Sequence, residues 1–241
     1  MKTTKIEWTD ITWNPITGCD RASEGCANCY AYTMSKRLKS MGQLKYKQGF
    51  KVVTHKDCLE EPLQWKSPCT IFVCSMSDLF NDKVPVAFID KVIDVIKRAK
   101  WHRFQILTKR AERMAEYFST HDVPENAWIG VTVENDKYKE RIEYLRTIPA
   151  KIRFLSCEPL LNDLGKIDLK SIHWVIVGGE SGPKARPMQK NWVESIQKQA
   201  KEQKVSFFFK QWGTWGADGV KRNKKINGKL LNGKVFQAMP L

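Results

Sequence analysis

TIFVCSMSDLFNDKVPVAFIDKVIDVIKRAKWHRFQILTK, residues 70–109, opens on a run of β-branched and aromatic residues and closes on another. Both runs, 70–77 and 103–109, are nearly continuous in apolar character, as strands covered on both faces are. Between them, the apolar residues of 86–99 recur at helical spacing. Strand, helix, strand in that order makes a parallel pair joined by a crossover. The pattern repeats outward. Strands are predicted at 11–13, 127–133, 151–157, 173–179 and 205–212, and helices at about 110–118, 136–146 and 191–203. The insertion 41–69 has little regular pattern except a helix expected over 57–66. Asn232-Gly233, between apolar pairs, signals a hairpin turn. The expected fold class is α/β, a partial or complete parallel (β/α) barrel of about six or seven strands, with a doubly wound open sheet as competitor. The barrel is expected over residues 1–216, and a basic hairpin extension over 217–241, packed on the same domain.

With 42% hydrophobic and 11% aromatic residues, the 241-residue chain has globular rather than disordered composition. No apolar run reaches the roughly 18 residues that cross a bilayer, and MKTTKIEWTD lacks the apolar core of a signal peptide. The expectation is a cytoplasmic protein with no membrane partner. Its seven cysteines then serve as ligands, core fillers or reactive groups rather than disulfides. A formal charge of +15 favours a polyanion, nucleic acid first. The cations concentrate at 97–113 and, with no acid after Asp218, at 221–234.

In parallel β/α folds chemistry gathers at the carboxyl ends of the strands. Those ends are polar here: Ser75, Ser77 and Asp78; Lys109 and Arg110; Thr132, Glu134 and Asn135; Ser156 and Glu158; Gly178, Gly179 and Glu180; Lys210 and Gln211. Side chains alternate along a strand. Gly130, Thr132 and Glu134 therefore share one face, as do Phe154, Ser156 and Glu158, and Ile176, Gly178 and Glu180, while Cys157 points the other way. On this parity Glu134, Glu158 and Glu180 converge on one cavity. Gly178-Gly179 either lets backbone approach a ligand closely or makes a turn with positive φ. The four histidines (55, 102, 121 and 173) stand at no predicted strand's carboxyl end, which disfavours a metal-dependent hydrolase.

Cys19, Cys26 and Cys29 follow the first strand with spacing C-x6-C-x2-C and precede a helix. A structural zinc site closes with four ligands. An iron–sulfur cluster on three thiolates leaves one iron open to a small ligand. No other His or Cys lies near in sequence, and Cys74 reads as a buried small residue.

With a three-cysteine loop after strand one of a β/α barrel, the chain resembles the radical S-adenosylmethionine (SAM) enzymes. WNPITGC, CANCYA, SMSDLF, LTKR, FLSCEPLL, VIVGGESG, ARPM and FFKQWG, spread over about residues 5–240, resemble more closely the phage-associated three-cysteine-motif family, relatives of that group. The common radical SAM spacing is C-x3-C-x2-C, and the residue before the third cysteine is usually aromatic; here it is Asn28, with Tyr30 just after. The resemblance implies a barrel of the radical SAM type. Cys19, Cys26 and Cys29 would hold a [4Fe-4S] cluster whose open iron binds SAM, and one electron from a flavodoxin- or ferredoxin-like donor would yield a 5′-deoxyadenosyl radical. Ser75, Ser77 and Asp78 would contact the SAM amino group or ribose. Thr132, Glu134, Ser156, Glu158, Gly178, Gly179 and Glu180 complete the cofactor set, with Glu158 and Glu180 as catalytic candidates. Cys157 is a catalytic candidate as a hydrogen-atom donor, a role its parity disfavours. Lys109, Arg110, Asn135, Lys210 and Gln211 are assigned to substrate or to anionic groups. Trp212 and Trp215, in a QWGTWG loop expected to expose both rings, are assigned to base stacking.

The leading function is a radical SAM enzyme that modifies or repairs a nucleic-acid base, DNA before RNA. The alternatives are a non-catalytic iron–sulfur or zinc nucleic-acid-binding protein, and a radical SAM enzyme acting on a small molecule or a protein.

Overall fold

A computed structural model describes residues 4–240. The outermost residues of the N-terminal stretch (1–3), and Leu241 of the extension, lie outside the described residues. The strands are β1 (Ile11–Trp13), β2 (Ile16–Thr17), β3 (Val53–Thr54), β4 (Thr70–Val73), β5 (Arg103–Thr108), β6 (Ala127–Thr132), β7 (Ile152–Cys157), β8 (Trp174–Gly178) and β9 (Ser206–Gln211). The helices are α1 (Tyr30–Ser40), α2 (Glu61–Gln64), α3 (Val86–Arg98), α4 (Ala111–Thr120), α5 (Glu140–Thr147), α6 (Lys190–Glu202) and α7 (Lys224–Asn227). The seven-stranded sheet runs β1-β4-β5-β6-β7-β8-β9, and β2 and β3 form a separate antiparallel ribbon. Sequential order without reversal is that of a partial parallel (β/α) barrel; a doubly wound sheet would reverse direction at a switch point. Among the described residues no helix is long and apolar enough to cross a membrane.

The chain divides into two compact units within β6. One runs up to Ile129 and includes Ile148–Lys151; the other comprises Gly130–Thr147 and Ile152 onward. In the first, β1 pairs parallel with β4 (Ile11 opposite Ile71) and β4 with β5 (Ile71 opposite Phe104). Most side chains of β1, β4 and β5 are buried, Trp13, Ile71, Phe104 and Ile106 among them. Helix α3 buries Phe88, Ile89, Val92, Ile93, Val95 and Ile96, the periodicity read from 86–99. Each such side chain contributes about 1.5–3 kcal/mol over leaving it exposed. Pro85 precedes the helix in extended backbone, and Lys97 and Arg98 sit in its last turn, where cations meet the negative end of the helix dipole.

In the second unit β7 pairs with β8 and β8 with β9, all parallel. Gly130 lies where a Cβ would stand 2.5 Å from the Phe154 ring, so these two share a face, as strand alternation requires. The extension belongs to this unit. Gln237 bridges antiparallel to Phe208, Phe209 N–H donates to Phe236 O at 2.7 Å, and Ala238 N–H donates to Phe207 O at 3.2 Å. Leu231 and Lys234 exchange backbone bonds of 2.9 and 3.0 Å around Asn232 (φ 51°) and Gly233 (φ 74°), the hairpin expected there.

Three local expectations change. The strand placed at 70–77 ends at Val73, because Cys74 adopts φ 60°. The helix expected over 57–66 is a 3-10 turn at 56–58 followed by the single turn of α2, since Pro62 fits only a first turn and Trp65 is extended. The helix expected over 136–146 begins as a 3-10 turn capped by the Asn135 side chain and becomes regular only at Glu140.

Candidate functional site

In the first unit the three cysteines occupy the loop that leaves β1 and β2 and enters α1. Gly18 anchors its start. It bridges to Ser77, donates N–H to Met76 O at 3.1 Å, and accepts from Ser77 Oγ at 2.5 Å. Its φ is +79°, and a Cβ there would stand 2.0 Å from Lys51 O, so only glycine fits. Cys19 N–H donates to Phe50 O at 3.3 Å. Its Sγ lies 3.7 Å from Asn81 Nδ2 and 3.8 Å from Arg110 Nη1. Burial, reinforced by Asp78, pushes this thiol up to about 11, against the lowering influence of Arg110 and Asn81. Cys26 ends a 3-10 turn with its Sγ 3.9 Å from Ser23 Oγ. Cys29 N–H donates to Cys26 O at 3.3 Å, and Cys29 is the residue before α1, packed beside Ala31, Tyr46 and Met76.

The segment after β4 encloses this loop. Ser75 Oγ donates to Asn14 Oδ1 at 3.1 Å, and the Tyr30 hydroxyl donates to Ser75 O. Asp78 is buried and engaged by four protein donors: Phe80 N–H (3.0 Å) and Thr108 Oγ1 (2.7 Å) on Oδ1, Lys109 N–H and Arg110 Nη1 (3.2 Å each) on Oδ2. The residue expected to meet the SAM amino group thus organises the ends of β4 and β5. Arg110, expected to meet an external anion, pairs with Asp78 and points at Cys19. Asn14 and Asn81 were not singled out from sequence, and Tyr30 only as the aromatic residue after the third cysteine; Asn81 stands one residue past the SMSDLF motif.

Do these residues fit an iron–sulfur cluster? The donor set fits by its chemistry: three thiols, none in a disulfide and all partly exposed, lie on one loop with amide and guanidinium donors beside Cys19. Among the described residues, no three Cys, His, Asp or Glu side chains are already gathered as a metal site. Ligand geometry of this kind forms together with metal binding. Cys74 is buried just past β4, its thiol raised first by burial and then by Asp78 and Cys19.

The second unit holds Glu134, Glu158 and Glu180, the glutamates expected to converge on one cavity. Each carries its own cation, because a carboxylate out of water needs a partner. Glu134, fully buried, accepts from Arg141 Nη1 at 3.0 Å, and the same nitrogen donates to Thr132 O at 2.9 Å. Glu158 accepts from Lys210 Nζ on both oxygens, at 2.8 and 3.0 Å. Glu180 accepts Arg186 N–H (2.8 Å) and Nε (3.0 Å) on one oxygen and Nη2 (2.7 Å) on the other. Arg141 and Arg186 were missed as partners, although each follows its carboxylate by six or seven residues. Asn135 accepts from Lys137 N–H and Asn162 Nδ2, and Ser156 is buried with its carbonyl bonded to Val133 N–H.

Neither glycine of the 178–179 pair has positive φ. A Cβ on Gly178 would stand 3.0 Å from Glu158 Cδ, and one on Gly179 would stand 1.9 Å from Trp212 O. Both positions make room for the protein's own groups. Cys157 is fully buried, its thiol pushed up to about 12 by burial, with Glu134 adding.

Two expectations are corrected. Trp212 is not an exposed ring: it is 2% exposed, packs edge-on against Phe209, and donates Nε1–H to Leu230 O at 2.9 Å. Trp215 is half-buried and donates to Ala185 O at 2.7 Å, while Gln211 Nε2 reaches Ser181 Oγ at 3.1 Å. The extension, folding back over the end of β9, covers Trp212. Second, His55 directly follows β3, where its Nε2 lies 2.8 Å from Thr17 Oγ1; the two-residue ribbon was not foreseen.

A family model described as "Protein of unknown function (DUF5131)" matches residues 3–240, and the chain belongs to that family. No curated protein matches it. Among solved structures, a spore photoproduct lyase double mutant with bound AdoMet and dinucleoside spore photoproduct is similar with TM-score 0.44 and 11% identity, over 79% of this chain and 61% of that one. The chain thus spans less than two thirds of that protein. A single mutant of spore photoproduct lyase is similar with TM-score 0.44 and 13% identity, over 92% of this chain and 71% of that one.

Proposed function

We propose that this member of the family is a radical SAM-type [4Fe-4S] enzyme that modifies or repairs a nucleic-acid base, DNA before RNA. One observation carries the reading: three free thiols, Cys19, Cys26 and Cys29, share the loop between the first strands of a parallel (β/α) partial barrel and α1. Three thiolates leave one iron of a four-iron cluster without a protein ligand, which a purely structural site does not require. When bound, the cluster supplies the electron that cleaves SAM to methionine and a 5′-deoxyadenosyl radical able to take a hydrogen atom from substrate.

The chain's own residues then have defined tasks. Cys19, Cys26 and Cys29 hold iron. Asn81 and Arg110 direct N–H groups at the Cys19 sulfur, where they stabilise its thiolate. Asp78 fixes Arg110 in that orientation, and Gly18 with Ser77 fixes the loop. Ser75 and Ser77 are polar groups for the amino-acid and ribose parts of SAM. The net charge of +15 draws the nucleic acid. A reductant of the flavodoxin or ferredoxin class supplies the electron.

The test is anaerobic reconstitution with iron and sulfide, followed by reduction with SAM, with and without DNA. A brown protein that releases 5′-deoxyadenosine, faster with DNA, is expected. A colourless zinc protein that binds DNA would replace this reading with a non-catalytic one. Release that DNA does not stimulate would move the substrate to a small molecule or a protein.

A further inference from the structure

Between Glu24 and Asp57 the chain has seven Lys and Arg residues and no Asp or Glu. This segment contains α1 and the loop after it. Lys36, Arg37, Lys39, Lys47 and Lys51 are exposed, and none pairs with a carboxylate among the described residues. In the other concentrations of charge, part of the set is engaged within the protein. At 97–113, Arg98 pairs with Glu60 and Asp94, Arg110 with Asp78, and Arg113 donates to the carbonyls of Phe80, Asn81 and Val84. In the extension, Arg222 pairs with Asp218 and Lys221 donates to Pro183 O. The α1 segment thus carries a block of positive charge with no acid between Glu24 and Asp57.

It also presents aromatic surface. Tyr32 is 45% exposed. Its ring meets Phe50 edge-on at 5.6 Å, and Lys36 Nζ stands 4.3 Å from its centroid. Lys36 and Lys39 follow Tyr32 at helical spacing, so ring and ammonium groups share one side of α1. The same segment touches the cysteine loop, where Gly18 abuts Lys51 O and Cys19 N–H donates to Phe50 O.

We infer that this side of α1, with the loop at 45–51, is a docking surface for single-stranded nucleic acid. Lys36, Lys39, Lys47 and Lys51 contact phosphates, and Tyr32 stacks on a base. A flat ring among ammonium groups suits a strand with unstacked bases; phosphate contacts alone would serve a duplex equally. The surface rests on the nucleic-acid part of the proposed function and supplies its substrate class: a strand reaching the cysteine loop with its bases already out of the duplex.

The test measures binding of fluorescent oligo-dT to the full chain across a salt series. Lys36→Gln/Lys39→Gln/Lys47→Gln is expected to lower affinity at least about tenfold and to flatten the log–log salt slope by about 2. Tyr32→Ala is expected to lower affinity about five- to hundredfold with the slope unchanged, and Tyr32→Phe to retain binding. Lys224→Gln/Lys225→Gln/Lys234→Gln, in the extension, is the control and should change affinity less than the α1 triple variant. Circular dichroism checks that each variant folds. Equal losses from the two triple variants would overturn the inference. So would duplex DNA binding as tightly as oligo-dT with no effect of Tyr32→Ala, or binding only to phosphatidylserine vesicles. Iron content and 5′-deoxyadenosine release without DNA separate this inference from the catalytic reading. A chain that binds oligo-dT through α1 but cleaves no SAM upholds the surface and sinks the enzyme; the reverse result does the opposite.

Discussion

Arg110 Nη1 lies 3.2 Å from Asp78 Oδ2, and both side chains are about nine-tenths shielded from solvent. The same nitrogen faces Cys19 Sγ. Removing one partner of such a pair leaves the other charge shielded and unpaired, at a cost of about 3 kcal/mol or more. Arg110→Leu should therefore lower the denaturant midpoint substantially. Combining it with Asp78→Asn should cost less than the sum of the two single losses, by about 0.5–3 kcal/mol. Strictly additive losses in urea unfolding would mean that the two groups act independently.

Cys74 tests whether the proposed cluster would have an open iron. Its buried thiol is raised first by burial, with Asp78 and Cys19 adding. Cys74→Ala is a small change in a buried site and should leave iron content and SAM cleavage intact, whereas Cys19→Ala should abolish both. Loss of iron from the Cys74 variant, in protein shown to be folded, would make it a fourth ligand and the site closed.

Glu158 separates a cofactor role from a packing role. Glu158→Gln keeps the shape and removes the charge facing Lys210. If the carboxylate helps hold SAM, Kd for SAM should rise about tenfold or more, the scale of a charged hydrogen bond. Unchanged SAM affinity at full iron content would leave Glu158 as the partner of Lys210 alone.

Asp218 gives a pH dependence of known sign. Two bonds from Arg222 and one from Val220 N–H hold its carboxyl down to about 2, from an ordinary 3.8. A depressed carboxyl contributes its stabilisation above the unfolded value and loses it as pH falls through the folded one. Amides of residues 218–222 should therefore lose hydrogen-exchange protection between about pH 4 and pH 2. Asp218→Asn should be less protected at neutral pH and flat across that window. A wild-type profile identical to the Asn variant would refute the coupling.

Much of the scaffold was legible because buried parallel strands and amphipathic helices write their periods into the chain. All seven sheet strands were placed in order, with β5, β6, β7, β8 and β9 close to their observed limits. Strand parity correctly put Gly130 with Phe154 and Gly178 with Glu158. What escaped was short or non-local. The β2–β3 ribbon has two residues per strand, too few to show a period. Cys74 breaks β4 through a backbone angle that its identity does not announce. Parity reports which way a carboxylate points but not which cation meets it: Lys210 comes from β9, and Arg141 and Arg186 from the stretches that follow β6 and β8. Trp212 was read as exposed because the tail that covers it folds back from beyond residue 217.

That tail has another consequence. Residues 236–238 run antiparallel along the outer side of β9 and take up its backbone groups. A last strand left bare, here the phenylalanine-rich Ser206–Gln211, would offer a template on which a second copy could add itself. The tail acts as a built-in selvage, and proteolytic trimming behind Gly228 would be expected to turn a well-behaved solution into one prone to self-association.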